Sequence, residues 1–232
     1  NKAQKFINQT ASDKQPFFLY LSYLEPHQPA IPAQRHSKLF PDAFAPRTPS
    51  FNEADVEDKP EYIRQLPLLS QEQQDQIDRL YQQRLRSLQA VDEGLVKLVN
   101  TLKANGQLDN TYIIFTSDNG FHLGQHRLPP QKETAYEEDI HVPLYIRGPD
   151  VPMGETRDQI VSNVDLAPTF AELAGVNTPN FVDGRSLVPL FRRHVPLPTQ
   201  WRQVLFLQHR LNPQTIPLIP DYKGLRSSNC TY

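Results

Sequence analysis

Residues 111–120, Thr111-Tyr-Ile-Ile-Phe-Thr-Ser-Asp-Asn-Gly120, run from a β-branched and aromatic segment straight into a turn that carries a carboxylate and a carboxamide side by side. Such a run reads as a strand that ends on Asp118. Ahead of it, Ser70 and Glu72 open a helix that Gly106 can close, with Ile77, Leu80, Leu85, Leu88, Val91, Leu95, Leu98 and Leu102 recurring mostly at three or four residues. Behind it, Val142-Pro-Leu-Tyr-Ile-Arg147 is a second strand, Ile160-Val-Ser162 a candidate third, and Gln203–Leu207 another. Earlier in the chain, Phe17-Phe-Leu-Tyr-Leu-Ser-Tyr23 is unbroken in apolarity, as expected for a strand buried on both faces. Residues 1–15 read as the end of a helix, and Asp165 is placed to cap a short helix that Gly175 closes. Strand and helix alternate, so the expected class is α/β, a mostly parallel or mixed central sheet flanked by helices. Ligands in such sheets sit outside the carboxyl ends of strands. Two places qualify: Glu25-Pro-His27 and Asp118-Asn119.

Composition narrows the function classes. Lys+Arg is 24 against Asp+Glu 26 in 232 residues, with neither sign in a block, which speaks against a surface that coats nucleic acid. The longest apolar run, Phe17–Leu21, is far short of the roughly 18–20 residues that cross a bilayer. The single cysteine, Cys230, excludes an internal disulfide and a cysteine zinc cage. Proline is frequent, 22 residues, and eight of these fall between Pro26 and Pro67 with no glycine among them. That segment reads as a long, braced surface excursion, of the kind that is often functional.

Asp118 and Asn119 both offer oxygen to a hard cation such as Ca²⁺ or Mg²⁺, although Asp-Asn-Gly is also among the commonest turns. His27, fixed between Pro26 and Pro29, is either a surface histidine or a donor to an anion or leaving group. Lys132 alone reads as a solvated loop lysine, and Glu137-Glu138-Asp139 as a short helix start or acidic turn without a catalytic role. His122 and His126 are four apart, but Gly120, Gly124 and two prolines argue against the helix that would bring both to one metal. The sequons Asn8-Gln-Thr10 and Asn229-Cys-Thr231 say little, since twelve asparagines give one or two by chance.

The combined string from Asn110 to Arg127, then Lys132, Tyr136-Glu-Glu-Asp-Ile140, Val142-Pro-Leu and Arg147-Gly-Pro149, resembles the type I sulfatases of the alkaline-phosphatase-like superfamily, with arylsulfatases and N-acetylglucosamine-6-sulfatases nearest in look. Pro16–Pro29 and Asn163-Val-Asp-Leu-Ala-Pro-Thr169 match further segments in the right order. The resemblance implies an alkaline-phosphatase-like sandwich and a sulfuric ester hydrolase. It implies Asp118 and Asn119 as ligands of a divalent metal, usually Ca²⁺. Lys132 would then contact a sulfate oxygen, His27 would contact the sulfate or protonate the leaving alkoxide, and His126 would line the pocket. Residues 1–192 would be the C-terminal part of the catalytic domain and 193–232 the start of a smaller region. Sulfate esters are the implied substrates, and secretion, the periplasm or the lysosome the implied location.

Departures from the family pattern bear on activity. Its nucleophile, a formylglycine, forms from the cysteine of Cys-x-Pro/Ala-x-Arg, a motif absent here, since Cys230 is followed by Thr231 and Tyr232. The family's paired aspartates, with a lysine and a histidine, are also missing. The chain therefore reads as a piece of a longer protein whose upstream part would hold them, inactive by itself. His141 stands where the family often has arginine. A phosphodiesterase or phosphonate monoester hydrolase of the same superfamily, and a non-catalytic binder of sulfated glycans, are the alternatives.

Overall fold

The computed structural model describes residues 2–13, 15–193, 197–214 and 219–232, which form two compact units, Asn1–Thr111 with Phe121–Gln131 and Tyr112–Gly120 with Lys132–Tyr232. The expected boundary after residue 192 adjoins residues 194–196, which lie outside the described residues.

The first unit is built along one long helix. Its elements are α1 (Lys2–Asp13), the four-residue α2 (Glu61–Arg64) and α3 (Gln71–Ala104). Ser70 caps α3 through a reciprocal box: its hydroxyl accepts from Gln73 N, and the Gln73 carboxamide accepts from Ser70 N. At the other end Gly106 takes φ +65° and Gln107 N bonds back to Leu102 O, the left-handed turn that ends a helix. Ile77, Val91 and Leu102 are buried along the apolar stripe; Ile77 joins Ala45, Leu69 and Leu123 in a core cluster. α1 lies against α3, with Ala3 and Ile7 buried and Gln4 Nε2 donating to Thr101 Oγ1 at 3.2 Å.

The proline-rich excursion is irregular, as expected, and it is the polar side of α3 that holds it. Asp78 accepts from Ala45 N at 2.9 Å and from Arg47 at 2.7 Å; Gln82 donates to the Pro41 and Ala43 carbonyls; Arg86 donates to Leu39 O; Glu93 pairs with Arg35 and His36. Positions 78, 82 and 86 are four apart, and 93 continues the stripe seven residues on, so one helical face carries the rail.

The second unit contains β1 (Ile113–Thr116), α4 (Glu137–Ile140), β2 (Leu144–Arg147), α5 (Leu166–Leu173), α6 (Val188–Phe191), β3 (Val204–His209) and β4 (Tyr222–Ser227). β1 pairs with β2, Ile113 opposite Arg147 and Thr116 opposite Leu144; β3 pairs with β4, Val204 opposite Ser227. A core cluster of Leu187, Val188, Leu190 and Phe191 packs under Tyr112, Leu144, Ile146 and Trp201.

Four expectations are corrected. Where a mostly parallel or mixed sheet was expected, the structure describes two strand pairings, and both are antiparallel. Parallel strands need a crossover of a dozen or more residues, usually helical. Between β1 and β2 the only helix is the four-residue α4, and the chain returns along its neighbour. Residues 17–23 form no described strand: Phe17, Leu19 and Tyr23 are half-buried, while Phe18 is 65% and Tyr20 79% exposed. The alternation is that of a strand with one covered face, and no described strand pairs with it. Ile160-Val-Ser162 is not a strand either; Ile160 O accepts the Trp201 indole N–H at 2.8 Å. Asp165 caps no α5 N–H with its side chain. Fully buried, it accepts from Ser162 N, Arg185 N and, through two bonds of 2.9 and 2.6 Å, from Arg202. A buried carboxylate is stable only when so satisfied, and the guanidinium outcompetes the cap.

Candidate active site

β1 delivers Asp118 and Asn119 to the end of a short strand, where the chain must turn at once. Asn163 holds the turn from below, its Nδ2 donating to Ser117 O at 3.1 Å and Asp118 O at 3.0 Å. Ser117 Oγ donates to Asn119 O at 2.8 Å, and Asn119 Nδ2 to Gly120 O. With its nitrogen turned to Gly120, Asn119 presents Oδ1 outward, and Lys132 Nζ donates to it at 3.0 Å. Asp118 is exposed. The turn thus holds a carboxamide oxygen against an ammonium, with the exposed Asp118 the preceding residue of the chain.

Close backbone approach fixes this geometry. Gly120 N donates to Asp139 O at 2.8 Å, and a Cβ at Gly120 would lie 1.9 Å from Glu138 O, so only glycine fits. Asp139 is 5% exposed, and its Oδ2 accepts from Thr134 N at 2.8 Å and Thr134 Oγ1 at 2.6 Å. One residue therefore anchors both the Asp118-Asn119 turn, through its carbonyl, and the segment after Lys132, through its carboxylate. Of the two expectations for residues 137–139, the short helix is the one found, as α4; it tucks Asp139 inward, where two hydrogen bonds satisfy it.

His27 and His126 belong to the first unit. His27 Nδ1 lies 2.8 Å from Gln28 O. A carbonyl only accepts, so Nδ1 carries the proton and Nε2 is the nitrogen turned to exchange. Backbone bonds His27 N to Leu24 O and Ala30 N to His27 O, both 2.9 Å, tighten the loop. From α3, Arg84 donates to Pro26 O at 2.9 Å and stacks over Phe121 at 4.1 Å. Arg84 is half-buried, and that burial lowers its pKa.

His126 is 8% exposed, takes φ +53°, and its Nδ1 lies 2.8 Å from Glu53 Oε2. It ties two loops together. His122, 1% exposed, sits in a bridge with Gln131, and no helix joins the two histidines, as the glycines and prolines indicated. His141 is exposed beside Glu137.

Of the residues read from sequence, the structure brings Asn119 and Lys132 together in the second unit, with Asp118 next to Asn119 in the chain. Among the described residues no group of three or more His, Cys, Asp and Glu is placed to hold a metal. Asn163, Asp139 and Arg84 were not singled out individually. Asn163 was visible only as the first letter of a matched segment, Asp139 only as one of three acids, and Arg84 only as a charge on an amphipathic helix.

The sulfatase family model matches residues 1–176. The chain is 38% identical over 202 residues to human N-acetylglucosamine-6-sulfatase, covering 86% of this chain and 36% of that protein. To the extracellular sulfatase SULF-1 homologue of Drosophila melanogaster it is 40% identical over 179 residues, 77% of this chain and 16% of that protein. Among solved structures, one in complex with its substrate D-glucosamine-2-N,6-O-disulfate superposes with TM-score 0.78 at 26% identity, over 97% of this chain and 59% of that one. The phosphonate monoester hydrolase of Silicibacter pomeroyi superposes at 0.73 and 24% identity over 100% of this chain and 51% of that one, a likeness of fold. This chain thus spans well under half the length of those two curated relatives. No described helix is long and apolar enough to cross a membrane. The fold is part of the alkaline-phosphatase-like architecture of these structures, with mixed helices and strands. A match through three quarters of its length, with the Asp118-Asn119 turn and Lys132 inside it, makes the chain a member of the sulfatase family.

Proposed function

We propose that the protein hydrolyses sulfate esters of carbohydrates or phenols, and that this chain supplies one half of its reaction centre. The carrying observation is the hydrogen bond of 3.0 Å between Lys132 Nζ and Asn119 Oδ1, beside the exposed Asp118 carboxylate at the end of β1. Asp118 and Asn119 fit a hard divalent cation by donor chemistry: Ca²⁺ takes roughly six to eight oxygens and Mg²⁺ six. They would be two of the ligands, with Ca²⁺ the expected ion and Mg²⁺ the alternative. When bound, such an ion offsets the negative charge on the sulfate group.

Lys132, fixed by Asn119, would place a positive charge at a sulfate oxygen, where it strengthens as the ester bond breaks. His27 would act at the leaving oxygen. With Nδ1 committed to Gln28 O, its imidazolium can give a proton only from Nε2, which is the group a departing alkoxide needs. His126, nearly buried on Glu53, would shape the pocket wall. The nucleophile lies outside these 232 residues, in which no Cys-x-Pro/Ala-x-Arg motif occurs, so the isolated chain is expected to show no turnover. Residues 1–192 would be the later part of the catalytic domain and 193–232 the beginning of a smaller region. Secretion, the periplasm or the lysosome is the expected setting, and the printed name of the fly relative, an extracellular sulfatase, supports the first of these.

The likeness of fold to a phosphonate monoester hydrolase leaves a second reading, because oxygen ligands that suit a hard divalent cation would serve a phosphoryl group as well as a sulfate. Steady-state rates of the full-length protein on 4-nitrophenyl sulfate, bis(4-nitrophenyl) phosphate and a phenyl phosphonate monoester separate the two. The sulfatase reading expects the sulfate ester to have the highest kcat/KM. A higher value for either phosphorus ester selects the second reading, and no turnover of any of them selects a glycan-binding role.

A further inference from the structure

We propose that a cleft of about 330 Å³ in the first unit, beginning one residue after His27, binds an uncharged sugar ring of the glycan that carries the sulfate; this rests on the sulfatase reading above. Gln28, Gln73 and Gln76 line it together with Pro129, Pro130 and the buried Ile77. The volume is at the lower end of the roughly 300–1,000 Å³ of ligand sites.

The lining selects the occupant by elimination. Among the described residues that line the cleft none is charged, so a sulfate or carboxylate entering it would lose water without gaining a cation. A wholly apolar group would cover the carboxamides and leave their hydrogen-bonding groups unpaired. A neutral pyranose answers both demands. Its C–H face lies against proline rings and aliphatic side chains, and its hydroxyls donate to and accept from carboxamides, which offer both functions. Gln73 already spends its oxygen on Ser70 N, so its contribution is the NH₂ group. Gln76, exposed on the first turns of α3, keeps both. The α3 N-terminus and the His27 loop meet at this cleft, so the ring it holds belongs to the same substrate on which His27 acts.

Two readouts on the full-length enzyme test this. Saturation-transfer NMR with unsulfated N,N′-diacetylchitobiose reports the cleft without any chemistry. Steady-state kinetics then compare 4-nitrophenyl sulfate with a monosulfated N-acetylglucosamine disaccharide in wild type, Gln76→Ala and Gln76→Leu. Gln76 is at the surface, so both variants retain the fold. The expected result is transfer to chitobiose in wild type and its loss in Gln76→Leu, with KM for the disaccharide raised about tenfold and kcat/KM for the aryl sulfate within twofold of wild type. Absence of transfer in wild type, or equal loss on both esters, overturns the proposal. Transfer to chitobiose in a protein that cleaves neither ester supports the cleft and overturns the hydrolase reading instead.

Discussion

Asp139 shows how a side chain remote from any reacting group can decide a site. Its carbonyl takes the Gly120 N–H, and its carboxylate takes both donors of Thr134, two residues beyond Lys132. Asp139→Asn keeps one acceptor for Thr134 but gives up a charge-assisted pair, so it is expected to lower kcat about tenfold or more while the protein stays folded. Kinetics across pH check this: a positioning role reduces kcat without moving the shape of the pH profile, whereas a displaced inflection would assign Asp139 to proton transfer. At this scale the sequence was partly legible. Asp118, Asn119 and Lys132 each look like ordinary turn or loop residues alone, and only the resemblance of the whole string to the sulfatase family singles them out. Asp139 was illegible, because its importance comes from a backbone approach at Gly120 that no spacing announces.

Among the elements, α3 was the most legible, because its limits are written in local chemistry: a capping box at Ser70 and a left-handed glycine at 106. Its second task, holding the proline-rich excursion along Asp78, Gln82, Arg86 and Glu93, is hidden in residues that read as a solvated face. The hydrogen bond from Arg35 holds the Glu93 pKa down, to about 2, with His36 adding to the effect. A carboxylate depressed in the folded state adds stability above its ordinary value of 4.5 and loses it as pH falls toward about 2. Urea unfolding across that range is expected to show a midpoint that falls with pH in wild type and falls less in Glu93→Gln; parallel curves would show that the ion pair contributes nothing, as exposed pairs often do. Residues 17–23 show the opposite failure. Unbroken apolarity suggested two buried faces, but only pairing partners make a strand, and burial here covers one face.

For the whole molecule, the family and the class of fold follow from the ordered series of motifs, while the antiparallel direction of both described strand pairs does not; for β1 and β2 it depends on a connection too short in helix to cross a sheet. The chain spans a fraction of its relatives' length, and its two units divide the residues singled out: Asp118, Asn119 and Lys132 in one, His27 and His126 in the other. The central claim is that Asp118 and Asn119 are oxygen ligands of a divalent cation on which sulfate hydrolysis depends. A calcium titration of kcat/KM on 4-nitrophenyl sulfate, after chelation, in full-length wild type and Asp118→Asn tests it most directly. The account predicts a saturable calcium dependence in wild type and, for the variant, a demand for calcium raised about tenfold or more, because one charged oxygen ligand is lost. Superimposable calcium curves for the two proteins would contradict it.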